Sequence, residues 1–217
     1  MNDFAAARLN MIDGQILPNK VTDQRIIDAM GAVPREEFVP KALRGVAYVD
    51  EDLEVAPGRY LMEPMVFSRL LQFAELEETC SVLDVGCATG YSSAVLGQLA
   101  GVVVAVEESE ELAERATEAL AAVSVDNVAV MAGAFDRGLP EQGPYDVIIL
   151  EGAVPEVPDV ILDQLAEGGR LVAVVGKQGP GKATLFTRTR GLVGSRQVFD
   201  ANIPALPGFE RKEGFVF

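Results

Sequence analysis

Two glycines and an acid near the middle of the chain have the spacing of a ligand-binding turn. Gly86 and Gly90 are separated by three residues, and Asp84 lies two residues before the first glycine. An apolar run ends just before this turn and a helical pattern follows it, which predicts a strand, a glycine turn and a helix. Such a turn lets backbone N–H groups and a helix N-terminus approach a ligand closely. A tight strand-to-helix connection without a ligand is the alternative interpretation.

A second acid, Glu107, follows the next predicted strand and lies twenty-one residues after Gly86. In an open parallel sheet, ligands bind beyond the carboxyl ends of the strands, where the strand order reverses. A carboxylate at the end of this strand can accept hydrogen bonds from both hydroxyls of a ribose. A solvated residue at a strand end is the alternative. The loops at the same edge supply the other candidate binding residues, which are Cys87, Ala88, Glu108, Gly133, Ala134 and Glu151.

The glycine spacing also indicates the class of ligand. It is not the G-x-G-x-x-G pattern that makes room for a pyrophosphate, so a nicotinamide dehydrogenase is disfavoured. The pattern D-x-G-x-x-x-G at residues 84–90 resembles the first motif of S-adenosylmethionine (SAM) methyltransferases. This resemblance implies SAM as cofactor and S-adenosylhomocysteine (SAH) as its product. Such enzymes often bind the adenine amino group with an acid after the third strand, where this chain has Ala134, so Asp136 or the backbone takes that role.

Charge and residue usage exclude several kinds of chemistry. The 217 residues include no histidine, which removes the commonest general base, the Ser/His and Cys/His pairs and most zinc sites. We therefore predict no metal site, and chemistry that depends on carboxylates, hydroxyls, the backbone or a cofactor. The formal net charge of −15 disfavours non-specific binding to nucleic acid or anionic lipid, because the electrostatic attraction has the wrong sign.

The cysteines and the first residues indicate where the protein resides. Cys80 and Cys87 flank a predicted buried strand, which would hold them about 23 Å apart if fully extended, so a disulfide is not expected. Two free thiols favour a reducing cytosol. Residues 1–8 lack the basic and apolar regions of a signal peptide, and the apolar runs are far shorter than a membrane span. We predict a cytoplasmic protein that does not bind membranes.

Strand-like and helix-like patterns alternate from residue 80 onwards. Continuous apolar runs predict parallel strands covered on both faces, at residues 82–85, 102–106, 128–131, 147–150 and 171–175. The helical patterns between them cover residues 91–100, 108–123 and 155–166. Strands at residues 183–190 and 196–200 predict an antiparallel finish, and residues 215–217 a last strand or packing strip. The alternation predicts an α/β fold, a doubly wound Rossmann-like sheet that is mostly parallel.

The N-terminal third has a different pattern from the rest of the chain, because it is helical and irregular and is interrupted by prolines. We predict a single domain over residues 1–217, with an N-terminal helical cap and substrate loop at residues 1–75 and a SAM-binding core at residues 76–217. The cap is either a packing layer over the sheet or a lid that shapes the substrate mouth.

Several further segments resemble one methyltransferase family. Residues 33–40 read V-P-R-E-E-F-V-P, close to the family's V-P-R-E-x-F-V-P, and residues 47–53 read A-Y-V-D-E-D-L, close to its A-Y-x-D-x-x-L. Residues 86–91 match its G-x-x-x-G-Y. Residues 145–148 and 152–158 resemble its fourth strand and the following loop, and residues 162–175 resemble its L-L-x-Q-L-x-x-G-G-R-L-V. The chain thus resembles the protein-L-isoaspartate O-methyltransferases over about residues 10–176. Generic SAM methyltransferases lack the first of these segments.

The resemblance implies a SAM-dependent carboxyl O-methyltransferase that methylates isoaspartyl residues of damaged peptides, a protein-repair reaction. This activity suits a chain without histidine, because a carboxylate acceptor is already ionised at neutral pH and needs no general base. The enzyme must mainly align the carboxylate oxygen, the methyl carbon and the sulfonium, and exclude water.

The segment matched to the family's substrate loop departs from the family pattern, which is roughly T-I-S-x-P-H. Its serine has a catalytic or substrate-orienting role in the family. This chain has Tyr60, Met62 and Met65 at the threonine, serine and histidine positions, and it retains Pro64. Met62 cannot donate a hydrogen bond, and Glu63 repels an anionic acceptor unless it points away. The sequence therefore leaves the catalytic residue unassigned.

Three interpretations remain open. The first is an isoaspartyl methyltransferase acting on a peptide or protein carboxylate. The second is a related enzyme with the same cofactor and a different, less anionic acceptor, held in an apolar pocket of Tyr60, Met62 and Met65. The third is a module that binds SAM or a nucleoside without turnover and serves a partner protein.

Overall fold

A computed structural model describes residues 3–176 and 180–209 of the chain. The strands in these ranges are β1 (Leu53–Ala56), β2 (Arg59–Leu61), β3 (Ser81–Val85), β4 (Val102–Glu107), β5 (Val128–Ala132), β6 (Tyr145–Val154), β7 (Leu165–Val175), β8 (Gly181–Thr189) and β9 (Leu192–Ala201). The α-helices are α1 (Phe4–Met11), α2 (Gln24–Ala32), α3 (Pro64–Ala74), α4 (Tyr91–Gly97), α5 (Glu110–Ala122) and α6 (Asp159–Leu162). Across both ranges, no helix is long and apolar enough to cross a bilayer.

The described residues form one seven-stranded sheet in the order β5–β4–β3–β6–β7–β8–β9, with β1 and β2 paired separately as a hairpin. Strands β3 to β7 run parallel, whereas β8 and β9 are antiparallel. Strand β3 pairs with β4 on one side and with β6 on the other, so the strand order reverses beside β3. The predicted doubly wound sheet with an antiparallel finish is confirmed.

Burial explains why these sequences form central strands. Val82 and Leu83 point to opposite faces of β3 and are both fully buried, as are Ile148 and Ile149 on β6. Continuous apolar runs are needed because helices or loops cover both faces of the sheet. Edge strand β5 is largely exposed, which agrees with its position at the end of the sheet.

The N-terminal segments pack against the glycine turn and the substrate loop. Arg35 is completely buried, and its Nε and Nη2 donate to the carbonyl oxygens of Ala47 and Met62 at 2.8 and 2.9 Å. The hydroxyl of Thr89 donates to the carbonyl oxygen of Phe38 at 2.5 Å. The segment at residues 33–40 therefore joins the cap to the turn at residues 86–90.

One predicted element is wrong in length. The helix expected at residues 155–166 is a single turn, α6, and strand β7 already begins at Leu165. Pro158 is the N-cap of this turn. A proline disfavours helical backbone at the residue before it, so the helix does not begin earlier. The strand expected at residues 215–217 lies outside the described residues.

Candidate active site

The glycine turn has the backbone that its sequence predicts. Gly86 and Gly90 have φ angles of +88° and +93°, a conformation that favours glycine. Gly90 precedes α4, and the buried carboxylate of Asp84 accepts hydrogen bonds from the hydroxyls of Ser92 and Ser93 at 2.8 and 2.6 Å. These bonds fix the first turn of the helix against β3.

Asp84 is more than a structural anchor, because one of its oxygens has no internal partner. Oδ2 takes both serine hydroxyls, while buried Oδ1 has no hydrogen bond to any described residue. Burial raises the pKa of this carboxyl, and the two serine hydroxyls partly offset that effect. A buried acceptor without a partner is suited to a ligand or a water molecule.

Glu107 lies beside the glycine turn, as the sequence predicts. Its side chain is 1% exposed, and Oε2 accepts the backbone N–H of Ala88 at 2.9 Å. Its other oxygen accepts the N–H groups of Glu108 and Ser109 at 3.1 and 3.4 Å. The carboxylate is therefore held rigidly at the carboxyl end of β4.

Arg59 forms a buried ion pair with this carboxylate, which the sequence did not predict. Its Nη2 lies 2.8 Å from Glu107 Oε2 and also donates to the carbonyl oxygen of Gly86 at 2.8 Å. The guanidinium stacks over the ring of Phe135, with its carbon 4.7 Å from the ring centroid. Arg59 thus lies in the space that a ligand of Glu107 would enter.

A cavity of about 410 Å³ opens beside this ion pair. Its lining includes Arg59, Glu107, Glu108 and Phe135, together with the first turn of α5. The volume lies in the usual range for small-molecule sites, roughly 300–1,000 Å³. The cavity therefore connects the acid of β4 with the loop that follows β5.

The predicted binding residues of the loop after β5 lie in two different places, one beside Glu107 and one in a second cavity. Gly133 N–H bonds to the Glu107 carbonyl oxygen at 3.0 Å, which holds the loop beside β4. Ala134 and Asp136, however, line a different cavity of about 590 Å³, near Pro158. The structure therefore directs neither of them toward Glu107, and Phe135 takes that position, with its N–H bound to Glu108 at 3.2 Å.

The C-terminal segment covers the face of Gly86. Leu206 N–H bonds to the Ala153 carbonyl oxygen at 2.8 Å, which places its side chain over the ends of β3 and β6. A Cβ added at Gly86 would lie 2.6 Å from Leu206 Cδ1 and 3.2 Å from Arg59 Nη2. The hollow beside Gly86 is therefore filled by two side chains, while the cavity beside Glu107 is open.

These residues fit an adenosyl cofactor. Three features lie at the same edge of the sheet, next to a cavity of suitable size. They are the rigid carboxylate of Glu107, the glycine turn and the unpaired buried oxygen of Asp84. Cys87 and Ala88 are the buried middle of the turn. A ligand that also touches Gly86 requires Arg59 and Leu206 to move.

Two of the predicted acceptor residues, Tyr60 and Met62, lie on the other side of Arg59, whereas Met65 does not line that space. A narrow space is lined by Tyr60, Met62, Glu151 and Gly152, together with Asp52 and the chain at residues 203–205. The carboxyl of Glu151 is buried, and its Oε1 has no partner among the residues that the structure covers. Burial raises its pKa well above the ordinary value, and the nearby Asp84 adds to that effect.

Met62 and Glu63 have different environments. Met62 is buried and its carbonyl oxygen binds Arg35, so the family's serine position is filled by an apolar side chain. Glu63 is half-buried, and burial, followed by the charges of Asp52, Asp50 and Glu51, raises its pKa to about 7. Pro64 begins α3. The acceptor space and the residues around it are thus rich in carboxyl groups.

Replacing Gly86 by alanine tests how tightly its face is covered. We expect Gly86→Ala to cost about 1–2 kcal/mol for its positive φ, plus about 1–3 kcal/mol for the clash with Leu206. Gly168→Ala is the matched control, because Gly168 has φ +82° and open space around an added Cβ. Urea unfolding should show a larger loss for Gly86→Ala, and equal losses would mean that Leu206 does not cover Gly86.

Sequence reasoning missed Arg59, Phe135 and Leu206. A signal existed for Arg59, because strand alternation puts it on the same face as buried Leu61. A buried arginine there requires an acidic partner. Leu206 gave no signal, since its position depends on the chain returning beside β6 after the last strand.

Comparisons with known proteins show which family the chain is similar to. The model of the protein-L-isoaspartate(D-aspartate) O-methyltransferase (PCMT) family matches residues 8–201. A protein-L-isoaspartate O-methyltransferase from Koribacter versatilis is 39% identical over 176 residues, which cover 81% of this chain and 79% of that protein.

Solved structures give the same fold. A protein-L-isoaspartate O-methyltransferase superposes with a TM-score of 0.81 and 26% identity over 93% of this chain and 67% of its own. A Plasmodium falciparum structure assigned to the beta-aspartate methyltransferases, in complex with SAH, has a TM-score of 0.80 and 18% identity, and covers 96% of this chain and 100% of its own. The second likeness concerns the fold alone. The chain belongs to the protein-L-isoaspartate(D-aspartate) O-methyltransferase family.

Proposed function

We propose that this protein is a SAM-dependent O-methyltransferase that methylates the carboxylate of isoaspartyl residues in peptides and proteins. Membership of the family supports the reaction. The observation that carries the proposal is the buried carboxylate of Glu107 beside the glycine turn, at the edge of a cavity of about 410 Å³. SAM supplies an electrophilic methyl group on a sulfonium.

The chain's own residues bind the cofactor and orient the acceptor. Glu107 accepts a hydrogen bond from the ribose, and the turn at residues 86–90 with Asp84 surrounds the amino-acid end of the cofactor once Arg59 and Leu206 have moved away from Gly86. Glu108, Gly133, Phe135 and the neighbouring backbone form the adenine side, to which Ala134 contributes through its backbone, because its side chain lines the other cavity. Glu151 and the carboxyl ends of β3 and β6 face the acceptor. Because the acceptor carboxylate is already ionised, no residue has to remove a proton.

The direct test uses a pair of peptides that differ only in an isoaspartyl or an aspartyl linkage. We expect label from methyl-labelled SAM to enter the isoaspartyl peptide at least about tenfold faster, which corresponds to about 1.4 kcal/mol of discrimination. Met62→Ser should raise that rate if the absent hydroxyl limits orientation of the acceptor. Equal background rates for the two peptides would remove the isoaspartyl assignment.

Acceptor binding should depend on pH through Glu63. Its pKa is raised to about 7, so the side chain is neutral below that pH and an anion above it. For an anionic peptide, we expect KM to rise about fivefold between pH 6 and 8, since two charges 4 Å apart repel by about 1 kcal/mol in water. In Glu63→Gln the rise in KM should be smaller, and what is left of it comes from Glu151, whose pKa burial also raises and which lines the same space. A wild-type KM that does not change with pH would contradict the role of Glu63.

A second function remains a candidate because of Met62 and Tyr60. Both line the acceptor space, and buried Met62 offers no hydrogen-bond donor. A less anionic acceptor with the same cofactor would suit these side chains. Methyl-labelled SAM incubated with a cell extract would reveal such an acceptor if the peptide pair gives no label.

We extend the proposal to the partners, the location and the domain organisation. The partner is a peptide or protein with an isoaspartyl residue, and the charge of −15 supports the absence of nucleic acid binding. A cytoplasmic location is supported by the free thiols of Cys80 and Cys87. A single domain over residues 1–217 is supported by one core cluster that contains residues of the cap and of the sheet.

A further inference from the structure

Arg59 occupies a boundary position between the two halves of the candidate active site. It lines the cavity beside Glu107, and it also lines the narrow acceptor space with Tyr60, Met62 and Glu151. It stands immediately before the predicted substrate loop on strand β2. A change in the position of this side chain would therefore affect both spaces.

The bonds of Glu107 leave no position free for a ribose. Oε2 accepts from Ala88 N and Arg59 Nη2, and Oε1 accepts from Glu108 N and Ser109 N. A carboxylate has about four lone-pair sites, so this one is saturated. Three of the four donors are backbone groups fixed by the turn and the start of α5, whereas the bond from Arg59 comes from a side chain that can rotate. The Arg59 bond is the one that a ligand can replace.

Arg59 is itself incompletely satisfied where it lies. Its Nε is buried and has no hydrogen-bond partner within the described ranges. An arginine presents five N–H donors, and burying one without a partner has a free-energy cost. A second position that satisfies more of these donors would compete with the pair to Glu107.

The acceptor space needs a cation if its ligand is an anion. Asp52 and Glu151 line that space, and Glu63 lies close to it along the chain. Among the residues lining it in the described structure, Arg59 is the only cation. Arg35 does not line this space. It is fully buried, its Nε and Nη2 are bound to the carbonyl oxygens of Ala47 and Met62, and its Nη1 has no partner among the described residues.

We infer that Arg59 exchanges partners during the binding sequence, with Glu107 as its partner in the free protein and the acceptor carboxylate as its partner in the cofactor complex. One ribose hydroxyl replaces Arg59 Nη2 at Glu107 Oε2, and the released guanidinium turns into the acceptor space. The fork of a guanidinium matches a carboxylate with two parallel hydrogen bonds. This inference rests on the proposed function, since it takes the cofactor and a carboxylate acceptor from it.

Two consequences follow from the exchange. The cofactor binds first, because the acceptor's cation is not available until Glu107 has a new partner. Arg59 also donates the hydrogen bond to the acceptor that Met62 cannot donate. Its positive charge offsets the negative charge of the carboxyl groups around the acceptor space. Arg59 is thus a specificity-determining residue for an anionic acceptor.

Binding measurements without turnover test the exchange. Titration calorimetry with SAH should give at least about tenfold tighter binding to Arg59→Gln than to the wild type, because the internal competitor is gone. Arg25→Gln is the matched control, since it removes one positive charge from an exposed ion pair with Asp23, and SAH affinity should not change. Weaker or unchanged SAH binding to Arg59→Gln would overturn the exchange and leave Arg59 as a fixed support of Glu107.

A second measurement uses the wild-type protein and does not depend on the folding of the variant. An isoaspartyl peptide should bind the SAH complex at least about tenfold more tightly than the free protein, and Arg59→Gln should lose this gain. Equal peptide affinity with and without SAH would overturn the exchange, as would no peptide binding in either state. If peptide binding depends on SAH as expected but no methyl group is transferred, the proposed function fails while the exchange stands.

Discussion

Replacing Glu107 by alanine is expected to weaken SAH binding by about 1–3 kcal/mol, or roughly 5- to 150-fold. The reason is the loss of a charged acceptor for a ribose hydroxyl at the end of β4. The same change removes the partner of buried Arg59 and the acceptor for Ala88 N–H. A buried charge without its partner commonly costs about 3–5 kcal/mol, so the folded protein should also lose stability. Calorimetry with SAH and urea unfolding measure the two effects separately.

Two further variants separate binding from folding. Glu107→Gln keeps the size of the side chain and one acceptor oxygen, so it should fold better than the alanine variant and still bind SAH weakly. Glu114→Ala is the control for removing an acid from the same region, because Glu114 is exposed on α5. Unchanged SAH affinity in folded Glu107→Gln and Glu107→Ala would remove Glu107 from the site.

The second large effect is expected for Arg35→Ala, which should lower the free energy of unfolding by about 3 kcal/mol or more. Arg35 is fully buried and donates hydrogen bonds to the carbonyl oxygens of Ala47 and Met62. Its guanidinium carbon lies 4.6 Å from the centroid of the Tyr91 ring. Its removal leaves two carbonyl groups unpaired and opens a cavity between the cap and α4. For a protein of this size, that loss should lower Tm by about 6–12 °C.

Arg44→Ala is the matched control for Arg35. Arg44 forms an ion pair with Glu37 at 2.7 Å, and both side chains are substantially exposed. Such a pair contributes at most about 1 kcal/mol, so Tm should fall by no more than a few degrees. If both arginine variants melt alike, Arg35 does not hold the cap to the substrate loop.

The fold could be predicted because most of its signals are local. Apolar runs such as residues 147–150 have the length of a strand, and Gly86 and Gly90 mark the turn that requires positive φ. The helix expected at residues 155–166 failed because apolar spacing alone does not distinguish one helical turn followed by a strand from a longer helix. There the restriction before Pro158 was the stronger signal.

The candidate site could be predicted only where its residues are fixed by the ends of strands. The proximity of Glu107 to the turn follows from the pairing of β3 with β4, so the sequence was sufficient. The position of Asp136 depends on how the loop after β5 turns, and it lies in a different cavity from Glu107. The contacts of Arg59 and Leu206 join segments far apart in sequence, and no local pattern reports such contacts.

The most direct test of the central claim is a crystal structure of the protein with SAH. We expect a ribose hydroxyl within hydrogen-bond distance of Glu107 Oε2, in the place that Arg59 Nη2 now occupies, with Arg59 no longer bound to the carboxylate. An SAH molecule located elsewhere, with the pair between Arg59 Nη2 and Glu107 Oε2 still at about the present 2.8 Å, would contradict the account.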